Sequence, residues 1–311
     1  MTFRRFLFVV GLIPGIALCL IALTCLLNPT GPRGYLLDIF SGPLLSIAVI
    51  ATLLLALLRQ RMAALLSLMA VLGLGLSLWS QFFPSAPPEV RTPAPVRLVF
   101  ANLWVQNPTP ERLLTWIDAQ NPDLVAVIES GSKAQSSLIP TLEARYPYVA
   151  RRFDTYIFSR YRLSRIRPRP IGYSLLTAKV HAPGGVFTLA VAHLTRPWPF
   201  ADPKDQTAQL ERLANDLGRI PETQHPERIV LTGDFNTTPS ASGLKSLSRH
   251  LSLSPAPAIT GTWPAQLPGP LRIGIDNVLA GPALSLHDRK VGPYYGSDHR
   301  PVRVDIYNAA E

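Results

Sequence analysis

The sequence predicts an α/β domain, built as two packed sheets or one mixed sheet, behind an apolar N-terminal third that reads as three transmembrane α-helices. Three observations carry that expectation. Apolar, uncharged runs at 6–27, 39–58 and 62–83 precede a Pro-rich stretch at 84–95. From residue 96 onward, short β-rich runs mix with helical patterns over connections of antiparallel length. Polar residues capable of chemistry recur at or just past the predicted strand ends.

With 311 residues and 47% hydrophobic content, the chain can bury a full core. Its formal charge is +10, and from Pro84 onward 25 Lys/Arg face 19 Asp/Glu. Such an excess favours anionic partners (phosphate esters, nucleic acid or phospholipid headgroups) without choosing among them. The two cysteines, Cys19 and Cys25, lie in the apolar third, so the remainder has neither a disulfide framework nor a thiolate metal site.

Each apolar run is long enough to cross about 30 Å of hydrocarbon. Pro14-Gly15 and Gly73-Leu74-Gly75 are tolerable inside membrane helices, where neighbouring helices satisfy a loosened backbone. Arg4 and Arg5 precede the first run, and Arg59 and Arg61 separate the second from the third. The other loop holds only Arg33, with Asp38 close to the next run. The positive-inside rule places Arg4, Arg5, Arg59 and Arg61 in the cytoplasm. Three spans then deliver residues 84–311 to the far side. The expectation is a multi-pass protein of the cell inner membrane, N-terminus cytoplasmic, residues 84–311 periplasmic. A cleaved signal peptide is the alternative for the first run, but no clear small-x-small site ends it. Buried core helices are the alternative for all three, but none has an amphipathic face. The linker at 84–95 reads as extended, polyproline-like chain that holds residues 96–311 off the bilayer.

Within 96–311, the sequence reads as a strand at 96–104 with Asn102 near its end, then a helix entered through Thr109-Pro110 and closed by Asn121-Pro122. A wholly apolar strand at 124–128 ends in Glu129, a residue that also serves as a turn or helix capper. A helix at 134–145, the stretch 148–152 and a strand at 155–159 follow. The stretch 151–169 carries seven arginines against Asp154, fitting either phosphate recognition or a charged sheet edge. Strands at 175–181 and 186–193 flank Pro183-Gly184-Gly185, the second ending in His193. A helix at 205–217 presents Leu210, Leu213 and Leu217 on one face. Later come a short helix at 240–250, strands at 271–279 and 284–291, and a last strand at 302–306.

The stretch from Arg228 to Pro239 organises the domain. Ile229-Val230-Leu231 is a buried strand closed by Gly233, and Asp234 and Asn236, two apart in extended chain, face one point. A carboxylate and an amide so placed suit a hard cation and the phosphate oxygen it polarises. The same pair also suits an ordinary turn after a strand.

Taken together, Ala101-Asn102, Ile128-Glu129-Ser130, Ala192-His193-Leu194, Gly233-Asp234-Phe235-Asn236, Ile275-Asp276-Asn277-Val278 and Gly296-Ser297-Asp298-His299-Arg300-Pro301 resemble the endonuclease/exonuclease/phosphatase superfamily in both motif and order. The resemblance spans roughly 96–306 and implies a deoxyribonuclease-I-like, two-sheet α/β sandwich. It also implies an Mg²⁺-dependent (or Mn²⁺-dependent) phosphoesterase, with Glu129 as principal metal ligand and Asn102 and Asp298 completing or steadying the site. His299 would be the general base, oriented by Asp276. Asp234 and Asn236 would contact the scissile phosphate and the attacking water or a second metal. His193, like Asn236, would bind a phosphate oxygen, and it would help protonate the leaving group. Asn277 departs from the His or Tyr many relatives carry after the Asp, and Tyr156–Arg160 matches only loosely. A nuclease and a lipid-headgroup phosphodiesterase or phosphatase both fit. A catalytically inactive, membrane-tethered module for anionic ligands is the reading from another class, disfavoured by the complete residue set. A transporter is disfavoured by spans without charge.

Overall fold

The computed structural model describes residues 3–27, 32–84, 94–169, 173–198, 202–219 and 226–309. The N-terminal third forms α1 (Phe3–Leu27), α2 (Pro32–Ile39), α3 (Ser41–Leu57), α4 (Arg61–Ser77) and the single turn α5 (Trp79–Phe82). The rest begins with β1 (Val96–Asn102), α6 (Leu113–Gln120), β2 (Leu124–Ile128), α7 (Ser132–Ser136), α8 (Leu138–Arg145), β3 (Tyr148–Arg152), β4 (Thr155–Ser159) and β5 (Leu163–Arg169). It continues through β6 (Ser174–Ala182), β7 (Gly185–His193), α9 (Pro203–Gly218), β8 (Ile229–Asp234), α10 (Ser242–His250), β9 (Ser254–Pro255), β10 (Asp276–Ala280), β11 (Leu284–Val291) and β12 (Val302–Asn308).

Strands that are apolar on both faces need cover on both sides, and the architecture supplies it in four layers. One sheet has the order β11-β12-β1-β2-β4-β3, the other β5-β6-β7-β8-β10-β9. Alternate residues of each strand share a face. Leu98 and Phe100 of β1 and Leu124, Ala126 and Ile128 of β2 therefore meet Leu176, Leu189, Val191, Val230 and Val278 between the sheets. The intervening residues Val99, Ala101, Val125 and Val127 turn outward onto Leu113, Ile117, Leu138 and Leu142 of α6 and α8. On the far side, Ala190, Ala192 and Leu231 pack against Leu210, Leu213 and Leu217 of α9 and Leu244 and Leu247 of α10. The two-sheet α/β sandwich is thus as the sequence predicts.

Several boundaries differ. The expected helix at 134–145 breaks at Ser137 into α7 and α8, and the strand expected from 271 starts at Asp276, after a 3-10 turn at Gly269–Leu271. The basic stretch falls largely on β3 and β5, the terminal strands of the two sheets, where cations discourage edge-to-edge pairing.

The N-terminal third does not show the three spans expected at 6–27, 39–58 and 62–83. Among the described residues, no helix is long and apolar enough to cross a membrane. Helices α3 and α4 have 17 residues each, about 25 Å at 1.5 Å per residue. The ends of the second and third runs pack on the two-sheet domain. Ile39 closes α2 and, with Tyr35, is buried against Ala241, Ile273 and Ile275. Gln81 of α5 is buried with its Nε2 donating to Ala258 O at 3.1 Å and its Oε1 accepting from Ser240 Oγ at 2.8 Å.

Residues 85–93 of the predicted linker lie outside the described residues, but the helices on its N-terminal side touch the domain directly rather than standing apart from it. Ser46 Oγ donates to Pro270 O at 2.7 Å, and Asp38 Oδ2 accepts the Ser242 N–H at 3.0 Å. The outward faces of these helices stay apolar: Leu20, Leu53, Leu57, Met69, Leu72 and Leu76 are each more than half exposed.

Candidate active site

Parallel pairing places the site. β1 and β2 run parallel with Asn102 level with Ile128, and β7 and β8 run parallel with His193 level with Asp234. Their C-terminal ends therefore deliver Asn102, Glu129, His193 and Asp234 to one edge of the sandwich. β10 enters antiparallel, so its first residue, Asp276, pairs with Asp234. At Gly233 a Cβ would lie 1.9 Å from Ala192 O, so only glycine lets β8 approach β7 this closely. Glu129 (φ +54°) and Asn236 (φ +49°) leave their strands in the left-handed region. That conformation costs a non-glycine residue on the order of 1–2 kcal/mol and is held here by the surrounding hydrogen bonds.

His299 and Asp276 form the buried half of the site. His299 Nδ1 lies 2.8 Å from Asp276 Oδ2, and both residues are almost wholly buried. Donation from Nδ1 turns the lone pair of a neutral Nε2 toward the cleft. There Nε2 faces Asp234 Oδ2 at 3.7 Å and Asp298 Oδ1 at 3.9 Å. Burial alone would lower the His299 pKa, but Asp276, Asp234 and Asp298 outweigh it and lift the imidazole to about 10. Burial raises the Asp234 carboxyl to about 6, with His299 pulling it down and Asp276 pushing it up.

The open half faces this pair. Glu129 Oε1 sits 3.3 Å from His193 Nε2 and accepts from Asn102 Nδ2 at 2.9 Å. The same Nδ2 donates to Asp234 Oδ2 at 3.1 Å, so Asn102 bridges the two carboxylates. Its Oδ1 accepts the Trp104 N–H, while its backbone carbonyl accepts from the Tyr295 and Ser297 hydroxyls. Ser297 Oγ in turn accepts the His299 N–H, which ties the base-bearing segment to β1. Asn236 donates its N–H to Asp234 Oδ1 and its Nδ2 to Leu194 O, both at 2.8 Å. Asp298 Oδ2 accepts from Trp263 Nε1 at 3.1 Å. All eight residues singled out from the sequence thus gather at one edge. Six line a cleft of about 350 Å³, while the buried Asn102 and Asp276 stand behind it.

This donor set fits a divalent cation. Ligand atoms of Glu129, His193 and Asp234 lie within 4.8 Å of one another. Asp276 Oδ1 and Asp298 Oδ1 are buried with no hydrogen-bond partner, so carboxylate oxygens at the site keep acceptor capacity to spare. Oxygen donors gathered beside one another suit a hard metal ion, which Glu129 and Asp234 could hold with Asn102 beside them. Such an ion polarises a phosphoryl oxygen.

Residues behind the site escaped the sequence reading. Gln206 of α9, fully buried, donates to Phe235 O and Asn236 O at 2.9 Å each, fixing the turn after Asp234. Tyr35 of α2 donates its hydroxyl to Gln206 Oε1 at 2.5 Å and lies 2.8 Å from Thr237 Oγ1. Arg289 reaches Asp276 O and Thr260 O from behind. Asn277, the departure from the family pattern, is buried and donates to Gly274 O and Thr237 O, a structural role away from the cleft.

Residues 99–299 match the sequence model of the Endonuclease/Exonuclease/phosphatase family. The chain belongs to that family. It is accordingly a metal-dependent hydrolase of phosphate ester bonds. Comparison with curated protein sequences gave no match.

Solved structures repeat the fold of this family member at low identity. An endonuclease/exonuclease/phosphatase from Beutenbergia cavernae is 21% identical with a TM-score of 0.53, over 70% of this chain and 72% of that one. The human Nocturnin catalytic domain with a bound sulfate anion is 17% identical with a TM-score of 0.52, over 69% and 95%. Beta toxin from Staphylococcus aureus with bound magnesium ions is 13% identical with a TM-score of 0.52, over 69% and 100%. These likenesses show the fold alone.

Proposed function

We propose that this chain is an Mg²⁺-dependent phosphodiesterase in which His299 draws a proton from the attacking water. The buried His299–Asp276 pair, with Nε2 turned toward Asp234 and across the cleft from Glu129, is the observation that carries this reading. Asp276 orients the imidazole and stabilises its charged form. Glu129, with Asn102 and Asp298 steadying the site, holds the ion, and Mn²⁺ substitutes for it. Asp234 and Asn236 position the water and the phosphate. His193, near Glu129 and open to the cleft, binds a phosphoryl oxygen and helps protonate the leaving group. Charge growing on the phosphoryl oxygens is met by groups already in place.

The apolar outer faces of α1, α3 and α4 support a membrane location, with Arg4, Arg5, Arg59 and Arg61 on the cytoplasmic side and the catalytic domain extracytoplasmic. The decisive experiment uses the full chain in detergent with bis(p-nitrophenyl) phosphate, with and without Mg²⁺. His299→Ala is expected to lower kcat by about 10²–10⁴-fold, the range for a lost general base. Full activity in a chelator, or in His299→Ala, would refute the assignment. A reporter fused after residue 311 tests the topology, and a cytoplasmic signal would overturn it.

A further inference from the structure

The catalytic cleft is lined by three carboxylates, Glu129, Asp234 and Asp298, and by a single Lys or Arg among the described residues, Arg196. An arginine beside carboxylates ordinarily pairs with one of them through its planar fork. The Arg196 side chain forms no ion pair and no hydrogen bond among the described residues. It rests instead on an indole, with its Cζ 5.6 Å from the centre of the Trp263 ring. Trp263 Nε1 donates to Asp298 Oδ2 at 3.1 Å, so one side chain occupies that carboxylate oxygen and carries the guanidinium on its face. The backbone just before Arg196 is fixed as well. Gln209 Oε1 accepts the Thr195 N–H at 2.8 Å, its Nε2 donates to Thr195 Oγ1 at 2.7 Å, and Gln206 Nε2 donates to Thr195 O at 3.1 Å. Both glutamines are buried. On its other side Arg196 borders a crevice of about 30 Å³ shared with Phe40, Trp198 and Trp263, too small for a substrate group. The space open to an anion beside Arg196 is therefore the catalytic cleft.

We propose that Arg196 is a phosphate-binding residue of the active site, held ready by Trp263, and that its guanidinium takes a non-bridging oxygen of the scissile phosphate. This rests on the phosphodiesterase reading above and adds a residue to it. Glu129 follows β2 of one sheet and Arg196 follows β7 of the other, so a phosphate in the cleft is met by groups from both. In the hydrolysis a water oxygen adds to phosphorus, one P–O ester bond breaks, and the released oxygen leaves with a proton. A guanidinium stays charged throughout, so Arg196 exchanges no proton and acts by meeting the charge that grows on the phosphoryl oxygens. The contact with the indole face keeps the fork in place and out of ion pairs with the neighbouring carboxylates.

The test uses the full chain in detergent with Mg²⁺, with bis(p-nitrophenyl) phosphate as substrate and inorganic phosphate as competitive inhibitor. Arg196 is exposed, so Arg196→Ala keeps the fold, with Tm as the check. Its kcat/KM is expected to fall about 10²-fold, the scale for one lost donor to the transition state. The inhibition constant of phosphate is expected to rise at least about tenfold, as for one lost hydrogen bond between charged groups. Arg196→Lys keeps the charge without the fork and recovers part of both losses. Trp263→Leu removes the supporting face, so it lowers kcat/KM in the wild-type chain and costs much less when added to Arg196→Ala, whereas Trp263→Phe keeps a ring there and most of the activity. Strictly additive losses would overturn the part given to Trp263. Wild-type kcat/KM in Arg196→Ala, or a fall in kcat/KM with an unchanged inhibition constant, overturns the assignment of Arg196; if His299→Ala is impaired in the same assay, the phosphodiesterase reading stands. No hydrolysis by the wild-type chain with Mg²⁺ or Mn²⁺ removes that reading and Arg196 with it.

Discussion

Replacing Tyr35 by Phe removes one hydroxyl and keeps the ring that packs with Ile39 against Ala241, Ile273 and Ile275. That hydroxyl donates to Gln206 Oε1, and Gln206 Nε2 holds the carbonyls of Phe235 and Asn236 that follow Asp234. Tyr35, Gln206 and Thr237 are all buried, so water does not replace the lost donor freely. An acceptor left unsatisfied in such a place costs about 1–3 kcal/mol. Part of this appears as weaker docking of α2, and part as a catalytic turn less firmly held in its left-handed conformation at Asn236. If half of a ~2 kcal/mol penalty reaches the transition state, kcat falls about fivefold, since about 1.4 kcal/mol is tenfold in rate. KM is expected to hold, because no group touching substrate is removed. Steady-state kinetics on bis(p-nitrophenyl) phosphate, paired with thermal unfolding of the full chain, measures both parts. A variant with wild-type kcat and wild-type Tm would show that the hydrogen-bond relay from α2 to the catalytic turn has no energetic content.

Other outcomes follow from the electrostatics. The imidazole of His299 is held near 10 by carboxylates in the metal-free protein, so its contribution to stability is complete below its ordinary value near 6.5 and is lost as pH rises through about 10. Thermal unfolding in a chelator should therefore show Tm falling across that alkaline window, and a flat profile would refute the charge assignment. Adding Mg²⁺ should lower the His299 pKa, read by NMR of the ring, because a cation beside Asp234 offsets the field favouring imidazolium. Asp276→Asn should lower it as well, with kcat reduced more than KM. Burial pushes Asp38 up to about 6, so the docking of α2 is favoured with this carboxyl protonated and weakens as pH rises through about 6. Asp38→Asn should remove that dependence of Tm while keeping an oxygen for the Ser242 N–H. Gly233→Ala should fail to fold or lose activity, since its Cβ would collide with the backbone of β7.

The catalytic half of the molecule was largely legible in its sequence, for a physical reason. β2 is short, wholly apolar and ends in a charge, so both its limits and Glu129 stand out against their surroundings. The same holds for β8 and Asp234, where Gly233 marks the close approach to β7. Polar residues used inside the protein were harder to see. Gln206 lies four residues before Leu210 and eleven before Leu217, on the face of α9 that packs inward, and that spacing was the available signal. Polarity alone argued for solvent. Tyr35, Asp38 and Gln81 fell at the margins of apolar runs, where a hydropathy pattern cannot distinguish contact with lipid from contact with protein. That ambiguity let the expected spans at 39–58 and 62–83 take in Ile39 and Gln81, which pack on the sandwich. Asn277 stands where many relatives carry His or Tyr, and its register on β10 turns it away from the cleft.

The docking of the helices has a practical consequence for the molecule as a reagent. A fragment begun at the Pro-rich linker would expose Ile273, Ile275 and Ala241 to water and strip the Gln81 clamp from Ser240 and Ala258. It would also leave Gln206 without its Tyr35 partner. Such a truncation creates a new sticky surface beside the cleft and a slackened catalytic loop at once. Low turnover by the fragment would then describe the cut and not the enzyme, and its natural substrate is better sought with all 311 residues present.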